Sequence, residues 1–131
     1  MIPTIPSHLS ESPIYKKAID IFRLSQNLSQ YFREDLSGLK RDGTEDINIY
    51  FSGDIVQQSV SLAPEIIKAE LEHFSENKYK HVMYLSRLTN LLYKGCSRLE
   101  CTKGNGKDYI PLLKRELNTF KKLQKNWLLT L

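Results

Sequence analysis

The sequence lacks any run of about eighteen consecutive apolar residues, which argues against a membrane-spanning helix. Cysteine is scarce. Cys96 and Cys101 alone make no disulfide framework, and they point to a cytoplasmic protein with reduced thiols. Glycine and proline are few, six and five respectively, which excludes collagen-like and low-complexity classes. Met1 to Ser12 lacks the basic region and long apolar run of a secretory signal peptide. Catalytic patterning is equally thin. His8, His73 and His81 are the only histidines, and no Cys or carboxylate pattern completes a metal site around them. Glu65, Glu70, Glu72 and Glu76 lack the Glu-x-x-His spacing of di-iron bundles. Lys103-Gly104-Asn105-Gly106-Lys107 has the glycines of a phosphate loop but no preceding strand and no Gly-Lys-Ser/Thr, so it reads as a turn. No serine has an adjacent base. The expectation is therefore no enzyme, with no catalytic residue, no metal and no cofactor.

What is present is ordinary globular composition, 40% apolar and 26% charged, in a 131-residue chain of one domain. Residues 1–12, with Pro3 and Pro6, read as an extended N-terminal arm. Residues 13–131 read as a single all-α domain, an up-down-up-down four-helix bundle with a long loop at 35–53. Ser12-Pro13 should open the first helix, which buries Ile14, Ala18, Ile21, Ser25, Leu28 and Phe32. Within the loop, Ile47, Ile49 and Phe51 alternate with polar neighbours, so a short extended piece fits there. The second helix should run from a cap at Asp54 to Phe74 and kink at Pro64, since its apolar pattern continues through the proline. The third, from Lys78 to Glu100, carries Val82, Leu85, Leu88, Leu92, Cys96 and Leu99 on one stripe. The fourth, capped by Asp108 and ending near Leu129, carries Ile110, Leu113, Leu117, Phe120 and Trp127.

Charge is divided unevenly. Residues 1–76 hold seven Lys or Arg against twelve Asp or Glu, whereas residues 77–131 hold twelve against three. The first part is net −5 and the second +9, which suggests either a polyanionic partner or self-association of unlike surfaces. At 100° per residue, Lys80, Arg87, Lys94 and Arg98 share a stripe of the third helix opposite Leu85 and Leu92. Lys114, Lys121 and Lys125 form a stripe of the fourth, with Arg115 and Lys122 beside it. Neighbouring helices can merge these stripes into one basic surface of the kind that binds phosphate backbones. Tyr84 and Tyr93 are the aromatics placed to stack bases there, although tyrosine at a bundle edge more often packs. Outward Lys and Arg also serve solubility alone, as in any soluble bundle.

The segment from Gly53 to Glu70, with Gln57-Gln58 near its start, Pro64 in its middle and Ala69-Glu70 at its end, resembles a helix of a bacterial four-helix-bundle family. That family includes the 23S rRNA intervening-sequence proteins and the accessory variability determinants of diversity-generating retroelements. Pro13-Ile14-Tyr15-Lys16-Lys17-Ala18-Ile19-Asp20-Ile21 resembles the family's first helix, and the likeness extends over residues 13–128. Gln57-Gln58 stands where the family usually has Arg-Arg. The resemblance implies a four-helix protomer that assembles into a homo-oligomeric ring, commonly a pentamer. For the retroelement branch it also implies a basic surface that binds RNA or DNA and a reverse transcriptase. Two functions follow as expectations: a nucleic-acid-binding accessory protein acting through the third and fourth helices, or a protein–protein scaffold built head to tail from the acidic and basic halves. No membrane partner is expected.

Overall fold

A computed structural model describes residues 7–35, 47–100 and 108–131. Among these the chain is all-helical, in the order α1 (Ser7–Ser10), α2 (Pro13–Asp35), α3 (Ile47–Val60), α4 (Leu62–Leu71), α5 (Ser75–Leu99) and α6 (Tyr109–Leu128). α2 packs on α3 and α6, while α5 packs on α3, α4 and α6.

α2 starts where its capping chemistry dictates. Ser12 Oγ accepts the Tyr15 N–H at 3.3 Å and donates to the Leu9 carbonyl at 2.8 Å. Pro13 fills the first helical position, whose N–H has no intrahelical partner in any case. Ile14, Ala18, Ile21, Ser25, Leu28 and Phe32 are all buried, as the spacing predicts. The Ser25 hydroxyl is satisfied within its own helix by the Ile21 carbonyl at 2.8 Å. The expected stripes of α5 and α6 are likewise buried, from Val82 to Leu99 and from Ile110 to Trp127.

The structure corrects four expectations. The arm is not extended throughout: Ser7–Ser10 is a turn of helix that buries Leu9 to 1% exposure, and residues 1–6 lie outside the described residues. The loop does not reach residue 53, because α3 starts at Ile47; residues 36–46 lie outside the described residues. Ile49 and Ser52, three apart, face inward, while Ile47 and Tyr50 stay exposed. That is helical spacing, set by packing on α2 and α5, and the alternation of isoleucines does not override it. Asp54 therefore lies inside α3 and caps nothing. Asp108 stands just before α6 but already has helical dihedrals, φ −64° and ψ −23°, so its carboxylate makes no cap bond.

The fourth correction concerns Pro64. The kinked helix is two helices, α3 and α4, separated at Ser61. Pro64 has no N–H to offer the Val60 carbonyl, and its ring crowds that carbonyl. The chain tightens, with Ser61 N bonding the Gln58 carbonyl at 3.3 Å, and restarts with Glu65 N on the Ser61 carbonyl at 3.3 Å. Pro64 then falls in the first turn of α4, where a missing donor costs little. The apolar pattern spans the break because Ile55, Leu62, Ile66 and Ala69 enter one core.

α4 ends at Leu71 and α5 begins at Ser75, a connection as short as the expected one but placed three residues earlier in the chain. Glu72 Oε1 accepts the His73 and Phe74 N–H groups at 3.1 and 3.3 Å within it. Opposite α3, Gly95 sets how closely α5 approaches: a Cβ there would meet Ile55 Cγ1 at 3.1 Å.

Candidate nucleic-acid interface

Lys80, Arg87, Lys94 and Arg98 are all exposed on α5, whereas Leu85 and Leu92 on its opposite side are fully buried. On α6, Arg115, Lys122 and Lys125 are exposed, and Lys114 and Lys121 are half-buried at the edge nearest α5. The two helices run antiparallel, since Ser86 meets Gln124 and Tyr93 meets Lys114 and Lys121.

Tyr93 is the junction between the two stripes. The Lys114 ammonium lies 4.9 Å from its ring centroid and the Lys121 ammonium 5.0 Å. The ring that could have stacked a base is thus occupied by two cations, which it attracts through its electron-rich face. Lys114 also bonds the Glu100 carboxylate, and that bond holds its pKa above the ordinary lysine value. The other eight basic residues make no ion pair among the described residues.

The nine basic residues fall into separate groups. Lys114 and Lys121 share Tyr93, and Lys121 and Lys125 share a groove between α5 and α6. Lys80 and Arg87 line a depression on α5 with Tyr79, Met83 and Tyr84. Arg98 turns toward α3, its guanidinium 4.5 Å over the Phe51 ring. Lys94, Arg115 and Lys122 stand on outer faces, exposed to solvent.

Other polar contacts tie the helices beneath this surface. Glu65 on α4 is only 8% exposed and meets His81 Nδ1 on α5 at 2.9 Å and Lys68 Nζ at 3.3 Å. Trp127 Nε1 donates to Glu70 Oε1 at 2.7 Å, fixing the end of α6 to α4. Lys17 and Glu116 pair at 2.5 Å between α2 and α6. The sequence-based reading missed the Glu65–His81 pair and the groove residues Ser86, Asn90 and Gln124. Gln124 had a signal, because it falls on the apolar line of Leu117, Phe120 and Trp127.

Cys96 is fully buried, and burial pushes its thiol up to about 12, as suits a core-filling residue. Cys101 lies outside the described residues. Among the described residues no group of three His, Cys, Asp or Glu side chains is arranged to hold a metal ion, and no helix is long and apolar enough to cross a membrane. No family model, curated protein or solved structure matches the chain.

Proposed function

We propose that the chain is a non-enzymatic, oligomeric protein that binds nucleic acid, in an accessory role, through the basic surface of α5 and α6. The observation that carries this reading is Tyr93, which gathers Lys114 and Lys121 at 4.9 and 5.0 Å and so joins the basic stripes of two helices. Lys114 is paired with Glu100, but the other eight cations make no ion pair among the described residues and suit a polyphosphate backbone, where binding releases condensed counterions and reads little sequence.

Taking α3 and α4 as one broken helix, we infer an up-down-up-down four-helix protomer. Lys17 beside Glu116 and Tyr31 beside Tyr109 support an antiparallel α2–α6 pair. Phe51 beside Arg98 and Glu65 beside His81 support the same for α3–α4 against α5. An exposed apolar end supports self-association: Phe74 is 70% exposed and Leu129 86%. The family resemblance adds a ring of five protomers, a cytoplasmic setting, and a reverse transcriptase as partner, with RNA or DNA as the bound polymer.

The −5 and +9 division of charge favours a second reading, a head-to-tail scaffold with no direct nucleic-acid role. Light-scattering mass after gel filtration, at low and high salt and with or without a short structured RNA, separates the two. The accessory role predicts a mass near about five protomers that rises with RNA at low salt only. An assembly indifferent to RNA at every salt concentration overturns that role and leaves the scaffold. A monomer overturns the ring.

A further inference from the structure

The seam between α5 and α6 opens into a groove of about 260 Å³. Val82 and Leu128 give it apolar surface, Ser86 and Asn90 stand on the α5 side, and Lys121 and Lys125 on the α6 side. Gln124 lies at its base, 8% exposed, with Nε2 donating to Ser86 Oγ at 2.7 Å. The Asn90 amide is exposed and makes no hydrogen bond among the described residues. Among the described residues no carboxylate lines the groove. The Lys121 ammonium is held by the Tyr93 ring at 5.0 Å, so one cation stands at a fixed place on the rim.

These features constrain the occupant. Pockets for drug-sized ligands run from about 300 to 1,000 Å³, so this groove suits a smaller unit. The occupant needs a flat apolar face for Val82 and Leu128, an edge with both donors and acceptors for two amides, and negative charge beside two lysines. An unpaired nucleotide has all three: a base with two faces, a free Watson–Crick edge and a phosphate. A base inside a duplex has none of its faces or pairing edge available. We propose that the α5–α6 groove takes an unpaired nucleotide of a single strand, with the base edge at Asn90 and Gln124 and the phosphate at Lys121 and Lys125. The proposal rests on the nucleic-acid reading above and narrows it to single-stranded polymer.

Fluorescence anisotropy with labelled oligo(U), oligo(dT) and a blunt duplex of the same length tests it. Either single strand should bind the full-length protein roughly tenfold more tightly than the duplex. The tighter of the two single strands assigns the sugar. Asn90→Phe plugs the groove without altering charge, and should weaken single-strand binding by about tenfold while leaving duplex binding unchanged. An unchanged thermal melt of that variant shows that the fold is intact. Lys121→Ala/Lys125→Ala should weaken single-strand binding more than Arg115→Ala/Lys122→Ala, a charge-matched pair outside the groove; this comparison decides the matter if Asn90→Phe does not fold. Equal binding of strand and duplex, with equal effects of the two charge pairs, overturns the groove and leaves the nucleic-acid reading standing. Binding of none of the three probes overturns both.

Discussion

Glu72 shows how one side chain holds a connection in place. Phe74, at the N-cap of α5, has no side chain that can cap, so the exposed N–H groups of the turn fall to the Glu72 carboxylate. The Phe74 N–H lowers the Glu72 pKa most; burial opposes it, and Asn77, the His73 N–H and the nearby charge of His81 lower it further, so the net shift is downward. A native pKa below the unfolded one stabilises the fold above the usual glutamate value of about 4.3, and that stabilisation is lost as pH falls through the lower native value. Glu72→Gln should therefore lower Tm at about pH 7, and the gap from wild type should close as pH falls through the lowered native value. A Tm gap that persists in acid would show that the carboxylate's charge is not what matters. Residues at this scale differ in how far sequence reveals them. Ser12 was legible because a cap acts on its own next three residues. Glu65 and His81 were not, because sixteen positions separate them and only the packing of α4 on α5 brings them within 2.9 Å.

The α3–α4 break is the sharpest test at the scale of the element. With Pro64 in the first turn of α4, its missing donor costs little, and Pro64→Ala should change stability by less than about 1 kcal/mol. A proline inside one continuous kinked helix would give a gain nearer 3 kcal/mol on replacement. Chemical denaturation of the two proteins distinguishes these outcomes. Period-3.6 spacing revealed α2, α5 and α6 because each buries one long stripe: Ile14 to Phe32, Val82 to Leu99 and Ile110 to Trp127. It failed at 47–53, where a short apolar alternation fits strand and helix equally and contacts with α2 and α5 decide. It also failed at Ser61, since a break that keeps both halves in one core leaves the apolar pattern intact.

At the scale of the whole molecule, the uneven charge seen in the sequence becomes a surface property. Seven of the nine basic residues of α5 and α6 are exposed, and the other two are gathered at Tyr93. Their outward placement was legible from helical angles alone. Their division into a seam, an α5 depression and outer positions was not, because it depends on how α6 lies against α5. The central claim is that the seam binds a polyphosphate backbone. The most direct measurement is the affinity of a short RNA across a salt series, for wild type and for Lys121→Ala/Lys125→Ala. The account predicts that log K falls linearly with log salt in wild type and that the slope is shallower by about two in the variant. An unchanged slope, or an affinity insensitive to salt, would contradict it.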